Sequence, residues 1–290
     1  MNVLIYANGS SKTGGSHTKR MESLHQRLTD RNFNSLFFTN LNEFKKHITI
    51  NKKNCLVIID VPESFDENLS FLFKNNIKII GYEYSGDLLF DYNIVPFKFK
   101  LRNFKAKTRV FFGLKFLIIR DDIVLAKVAF ASGYPEGLIT LGAGKSKHKA
   151  TKLRNVIVRN ENTNQVKIIL GKFSRELSFP KKYILKNPLN FASLLSNAEI
   201  IFTSGGATLA ESIYMEKRIV CWPQNDSEKE FARHLAQLYN FRIISTYREV
   251  PRFDDIERTT LKISKPKELI GENGLDEIIE LISGIINETK

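Results

Sequence analysis

Cysteine is nearly absent from this chain, with Cys55 and Cys221 the only two in 290 residues. Each sits inside an apolar run, and the pair offers neither a disulfide framework nor the spacing of a zinc site, so both read as inert core thiols. Long hydrophobic runs are missing too: nothing approaches the roughly 20 apolar residues of a membrane-spanning helix. The opening MNVLIYANG is apolar, but no basic segment precedes it and no cleavage site follows, so it reads as a first strand and not a signal peptide. The expected place is the cytoplasm. The chain has no P-loop and no G-x-G-x-x-G fingerprint, and no Asp-x-Asp pair closes a strand to hold Mg²⁺. No metal and no cofactor are expected. Acidic residues are in deficit, 31 against 44 lysines and arginines, for a formal charge of +13. That excess attracts anionic partners. Only KFKLRNFKAKTR (98–109) interleaves basic and aromatic residues, and no nucleic-acid motif accompanies it. It reads as a solvated strand edge and linker, and no nucleic-acid partner is expected. A peripheral position on the inner, anionic face of a membrane stays open as an alternative.

The stretch that is most informative is EIIFTSGGATLAESIYMEKRIVCWPQN, residues 199–225. An apolar run breaks at Ser204-Gly205-Gly206, resumes with helical spacing through Ala207, Leu209 and Ile213, and is followed by a second apolar run ending at Pro223. This is strand, glycine turn, helix, strand. The first turn of such a helix offers N–H groups with no internal partner and the positive end of the helix dipole. A phosphate suits that place, and glycines would let it approach the backbone. One turn further in, Glu211 is placed to accept hydrogen bonds from sugar hydroxyls. A tight turn between strand and helix explains the glycines equally well.

The same grammar runs through the chain. Asn2–Ala7 is a strand, NGSSKTGGS a small-residue loop, and 17–31 a helix with Met21, Leu24 and Leu28 as its apolar stripe and Ser16 as its N-cap. Arg20 falls off that stripe. Strands follow at 36–38, 55–60 and 77–82, with helical connections near 42–47 and 63–73. Residues 92–120 resist assignment beyond apolar segments at 110–112 and 116–119, and 121–130 reads as helix. ASGYPEG (131–137) is the best linker. The pattern then restarts: strand 138–141, the turn Gly142-Ala143-Gly144, a basic helix with a strand end over 145–159, strand 166–170 and helix 190–197. After the informative stretch come helix 228–239, strand 241–245 and helix 275–286. The alternation predicts an α/β architecture of two doubly wound, Rossmann-like domains, 1–134 and 135–290, facing a central cleft. Ligands in such sheets bind at the carboxyl ends of strands, here around 7–17, 141–145 and 203–208.

These residues also resemble a known family. NVLIYANGSSKTGGSHTKRMESLHQRL looks like the start of the UDP-sugar hydrolase of pseudaminic acid biosynthesis, with Gly14, Ser16, His17 and Arg20 on its G-x-G-H-x-x-R motif. FFGLKFLIIRDDI, LITLGAG, LLSNAEIIFTSGGATLAES and CWPQND resemble its later elements in the same order. Together they point to the GT-B-like superfamily of hydrolases and glycosyltransferases, which includes the peptidoglycan N-acetylglucosaminyltransferase. The chain departs from the family's pattern at Asn8, where an acid is usual, at Ser16, where glycine is usual, and at Val61, where histidine is usual.

The resemblance implies a UDP-sugar substrate bound by Gly14, Arg20, Gly142, Ser204, Gly205, Gly206, Ala207, Thr208, Glu211 and Asn225, with the diphosphate at the helix start Gly206–Thr208, the ribose on Glu211 and the sugar on Asn225. It makes His17 the general base. The chemistry agrees: a helix start disfavours imidazolium, and neutral imidazole can take a proton from water or a sugar hydroxyl. His25, His47, His148 and His234 lack that context and read as surface or core residues. Water as acceptor makes the chain an inverting hydrolase; a sugar or lipid-linked hydroxyl makes it an inverting glycosyltransferase. The departures at Asn8, Ser16 and Val61 keep a third reading open, a nucleotide-sugar binder without turnover.

Overall fold

A computed structural model describes residues 1–8, 15–50, 55–61, 66–75, 77–84, 86, 88, 90–97, 107–128, 136–142, 147–171, 182–262, 269–271 and 273–288. The chain divides into two compact units. Among the described residues, those up to Arg120 and from Gly271 onward form the first, and those within Asp121–Ile270 lie in the second.

The first unit is built on β1 (Asn2–Ala7), β2 (Ser35–Phe38), β3 (Cys55–Asp60), β4 (Lys78–Tyr82), β5 (Tyr92–Val95) and β6 (Arg109–Phe112), all parallel in the order β2-β1-β3-β4-β5-β6. Strands covered on both faces need apolar residues at every position, and β3, CLVIID, is buried throughout. α1 (Ser16–Asp30), α2 (Leu41–Ile50) and α3 (Asp66–Leu69) connect the first four strands. Met21, Leu24 and Leu28 of α1 are fully buried, each contributing about 1.5–3 kcal/mol of apolar transfer. The N-cap of α1 is Gly15, with no side-chain cap bond, so Ser16 is the first helical residue and not the cap.

The second unit repeats the plan with α4 (Asp121–Val128), β7 (Gly137–Thr140), α5 (Lys147–Glu161), β8 (Val166–Leu170), β9 (Ile184–Lys186), α6 (Phe191–Asn197), β10 (Ile200–Thr203), α7 (Ala207–Tyr214), β11 (Arg218–Cys221), α8 (Asp226–Leu238) and β12 (Arg242–Ile243). Its strand order, also parallel, is β12-β11-β10-β7-β8-β9.

α9 (Gly274–Asn287), which the sequence pattern assigns to the second domain, packs on the first sheet. Leu275, Ile278, Ile279, Ile282 and Ile285 recur at helical spacing and are buried in one core with Met21, Leu24 and Leu28. Glycine is required where this helix begins: a Cβ on Gly274 would stand 2.1 Å from the Leu117 carbonyl oxygen. The apolar 116–119 segment is entered through a 3-10 turn, Leu114–Phe116, and continues as buried extended chain. Two other expectations fail. α5 stays helical through Val156-Ile157-Val158, despite those β-branched residues, because Ala150, Leu153 and Ile157 bury one face on β8 and its neighbours. α8 begins at Asp226, ahead of the expected start. The expected linker falls largely outside the described residues.

Candidate functional site

In each sheet the direction of winding reverses at one point, and there the carboxyl ends of two adjacent strands part. In the first unit the reversal lies between β1 and β3. β3 ends at Asp60, and α1, which follows β1, carries His17 and Arg20 three residues apart, so both project from one helix face. The three side chains meet. Asp60 Oδ2 accepts Arg20 Nε at 2.5 Å, and Asp60 Oδ1 accepts Arg20 Nη2 at 2.8 Å. His17 Nδ1 lies 2.6 Å from Asp60 Oδ1. Arg20 Nη1 donates to Glu83 Oε2 at 2.5 Å, and its guanidinium lies over the Tyr82 ring, 4.4 Å from the centroid. Tyr82 in turn donates its hydroxyl to the Phe116 carbonyl at 3.0 Å.

Charge decides the roles. Burial pushes the Asp60 carboxyl up, but the Arg20 guanidinium and His17 outweigh it and hold the group below the ordinary carboxylate range. Burial likewise opposes the charge on Arg20, and Asp60 and Glu83 reverse this, holding the guanidinium well above its usual value. Tyr82 is pushed up by burial and stays a neutral phenol. An ionised carboxylate only accepts, so His17 Nδ1 must donate, which leaves the lone pair on Nε2. Asp60 is fully buried while His17 keeps 18% of its side chain exposed. The arrangement is therefore an anchored imidazole: the carboxylate fixes its tautomer and the orientation of its ring. Glu83 holds a left-handed backbone, φ 52°, uncommon for a residue with a Cβ. Its N–H bonds the Ile94 carbonyl at 2.8 Å while its carboxylate stays on Arg20.

Arg20 is thus not a surface charge: only 8% of it is exposed, and its donors are committed to Asp60 and Glu83. Gly14 lies outside the described residues. Val61 is a buried core residue beside β3, and the Asn8 N–H bonds the Asp60 carbonyl at 3.3 Å, continuing the ladder past the strand end.

In the second unit the reversal lies between β7 and β10. Gly142 follows β7 with φ 86°, which calls for glycine. A Cβ there would stand 3.7 Å from Ser204 Oγ, so the two turns adjoin. Gly206 is the N-cap of α7 and supplies no side-chain cap, while Ala207 and Thr208 are half-buried in its first turn. Gly205 has a different reason from the one expected. A Cβ on it would lie 2.2 Å from the main-chain oxygen of Glu228, so its missing side chain admits helix α8. Glu211 is a buried carboxylate of α7, 4% exposed. Asn225 is the N-cap of α8, its side chain accepting the Glu228 N–H at 2.8 Å.

Glu228 itself was not foreseen. Its carboxylate accepts the Gln224 N–H at 2.7 Å. Burial raises this carboxyl, against hydrogen bonding and the Lys149 charge, which lower it. Asp60, Tyr82 and Glu83 were missed as well. A charged residue closing an otherwise apolar strand was the available signal for Asp60, and the sequence Asn225-Asp226-Ser227-Glu228, a capping pattern, was the one for Glu228. Nothing in sequence distance ties Glu83 to Arg20.

Two parallel doubly wound sheets, each with polar groups at its reversal point, define a GT-B-like α/β fold, and comparison with solved structures agrees. The UDP-GlcNAc 2-epimerase of Methanocaldococcus jannaschii in complex with UDP-GlcNAc and UDP aligns with a TM-score of 0.58 at 11% identity, over 98% of this chain and 99% of that one. The S. aureus MnaA-UDP co-structure gives 0.58 at 12%, over 99% and 97%. The glycotransferase of kitacinnamycin gives 0.55 at 12%, over 99% and 94%. Likeness at such identity shows the fold alone. Among curated proteins, the uncharacterized protein MJ1062 of Methanocaldococcus jannaschii is 27% identical over 333 aligned positions, covering 99% of this chain and 67% of that protein. No family model matches. Among the described residues, no helix is long and apolar enough to cross a membrane.

Proposed function

We propose that the chain is an enzyme that cleaves a UDP-sugar at its anomeric carbon with inversion, using water as the acceptor. The observation that carries this reading is the buried Asp60 carboxylate 2.6 Å from His17 Nδ1, on a GT-B-like fold. His17 Nε2 takes a proton from the attacking water, Asp60 holds the Nδ1 proton, and the imidazolium is supported as it forms. On the second unit the leaving diphosphate takes the N–H groups and dipole at the start of α7, around Gly206, Ala207 and Thr208. Glu211 accepts from the ribose. Gly142 keeps the neighbouring turn low, and Asn225 fixes the start of α8. The UDP and UDP-GlcNAc named for the neighbouring structures support a UDP-linked donor.

Transfer to a sugar or lipid-linked hydroxyl is the second reading. What favours it is the basic, aromatic stretch 98–109, most of which lies outside the described residues. The deciding experiment measures UDP release from a panel of UDP-sugars, with and without sugar acceptors, and identifies the carbohydrate product by NMR. Free inverted sugar in water alone, with turnover reduced about 10²–10⁴-fold in His17→Ala and UDP affinity retained, is the expected result. Product formed only with acceptor makes the chain a transferase. A 2-epimer makes it an epimerase, and UDP binding without turnover of any donor leaves a binder.

A further inference from the structure

The second unit holds a cavity of about 430 Å³ at the amino ends of β10 and β11, the opposite end of the sheet from the turn before α7. Charge does not balance there. Arg218 is spent: its guanidinium donates to the Glu199 carboxylate and to the Ile256 and Phe253 carbonyls. Lys127 pairs with Glu216 at 3.3 Å. Those two pairs use both carboxylates that line the cavity. Lys217 and Arg258 are left over. The half-buried Lys217 ammonium gives one of its three donors to the Ser196 carbonyl, in the last turn of α6. Among the described residues Lys217 has no carboxylate partner, and the exposed Arg258 guanidinium has no hydrogen-bond or ion-pair partner. The backbone holds the two together. Arg258 bridges Arg218 in antiparallel fashion, and the next residue, Thr259, donates its N–H at 3.1 Å and its hydroxyl at 2.6 Å to the Lys217 carbonyl. The strain shows in Lys217, whose ammonium is pushed below its ordinary value by burial and then by the Arg258 charge. A partly buried cation is ordinarily paired; here its charged neighbour has the same sign.

We propose that this cavity binds a phosphate monoester, held by the Lys217 ammonium and the Arg258 guanidinium, as a ligand site separate from the turn before α7. A phosphate monoester carries a charge of about −1.5 to −2 near pH 7, which the two unpaired cations match. The guanidinium offers a planar fork to two phosphate oxygens, and the ammonium brings its two remaining donors as a point charge. The organic part of the ester has a place as well. Ala198 and Met215 give the cavity an apolar wall, and its volume falls within the roughly 300–1,000 Å³ of small-molecule sites, more than a bare ion needs. The site does not depend on the UDP-sugar reading. Its residues precede β10 and β11 or follow the end of α7, whereas the diphosphate of that reading lies at the start of α7.

The test is isothermal titration of phenyl phosphate, and separately of benzoate, into wild type, Arg258→Gln and Lys217→Gln at about pH 7.5, above the second ionisation of a phosphate ester. Each titration is run with and without UDP. Arg258 is exposed, so Arg258→Gln carries the test by itself if circular dichroism shows that Lys217→Gln does not fold. Wild type should bind phenyl phosphate, and each folded variant should bind it about 10–100-fold more weakly, the worth of a hydrogen bond to a charged group. Benzoate has the same ring and a single charge, and should bind wild type more weakly than phenyl phosphate does. UDP should leave the phenyl phosphate affinity of wild type unchanged. No binding by wild type, or binding by Arg258→Gln within about twofold of wild type, overturns the inference. Benzoate binding as tightly as phenyl phosphate overturns the assignment to a dianion. Displacement of phenyl phosphate by UDP places the two in one site and overturns the separate one. Loss of phenyl phosphate binding in Arg258→Gln, with no UDP bound by any of the proteins, supports this cavity and removes the UDP reading.

Discussion

Asp60→Asn tests the candidate base and the fold at once. The amide has the size of the carboxylate but one oxygen and no charge. Asp60 now accepts three bonds, Arg20 Nε on Oδ2, and Arg20 Nη2 and His17 Nδ1 on Oδ1. Whichever way the amide turns, its NH₂ faces a donor: Arg20 Nε–H in one orientation, Arg20 Nη2–H and His17 Nδ1–H in the other. The buried guanidinium keeps one carboxylate, Glu83 at 2.5 Å. Breaking a buried ion pair from one side costs about 3–5 kcal/mol, and the surviving partner argues for about 3. Since domains are stable by about 5–15 kcal/mol, the variant should still fold.

The assay must report on the first unit. The chain's one tryptophan, Trp222, is in the second, its indole donating to the Ser245 carbonyl at 3.0 Å, so its fluorescence reads the wrong unit. Hydrogen exchange followed by mass spectrometry reads each unit separately. Peptides from β1, α1 and β3 should exchange roughly 100-fold faster in Asp60→Asn, the equivalent of about 3 kcal/mol. Peptides from β7 and β10 are the internal reference, because every partner of the Asp60 side chain belongs to the first unit. His17→Ala should leave the β3 peptides nearly unchanged, since it removes only the partly exposed member of the cluster. A change under about fivefold in Asp60→Asn, roughly 1 kcal/mol, would refute the claim that Asp60 is the electrostatic anchor of the site.

Four further outcomes follow from the same structure. Asp60 is depressed in the folded state, so its contribution to stability is present above the ordinary carboxyl value near 4 and is lost as pH falls through the lower folded value; Glu228 is raised, so it costs stability as pH rises from the ordinary value through its folded one. Acid denaturation of Asp60→Asn and Glu228→Gln should accordingly move in opposite senses relative to wild type. Gly205→Ala should destabilise the second unit by about 1–3 kcal/mol or more in urea unfolding followed at Trp222, because its Cβ would meet backbone 2.2 Å away. Gly284→Ala, inside α9 with nothing within 4 Å of the new Cβ, should instead stabilise by about 0.5–1 kcal/mol. Cys55 and Cys221 are both buried free thiols raised by burial, and a thiol reagent should modify neither in the native protein and both in denaturant.

What could be read in the sequence and what could not divides along a physical line. β1, β3 and β8 are legible to the residue, because a strand covered on both faces is apolar along most of its length and its neighbours are not. β5 and β9 are not, for opposite reasons. β5, YNIV, is buried but carries Asn93, whose amide NH₂ donates to the Tyr84 carbonyl at 2.6 Å, a contact no periodicity foretells. β9, ILK, is a short edge strand with little buried surface to mark it. The site divides likewise. Residues that act through local backbone geometry, such as Gly142 and Gly206, stand out by type and position. Residues that act by meeting a partner across the sheet do not: Asp60 lies 40 residues from Arg20, and Glu83 lies 63 from it. Arg20 shows the consequence. Its helical position places it off the apolar stripe, which predicts solvent. In the folded unit the neighbouring place is filled by the end of β3, so the same position becomes the buried bridge between two carboxylates. His17 is singled out as a candidate base by the resemblance together with its place at a helix start, but the groups that decide its tautomer come from the sheet. A search of other sequences for this arrangement should therefore look for a helix carrying His-x-x-Arg after the first strand together with a carboxylate closing the third.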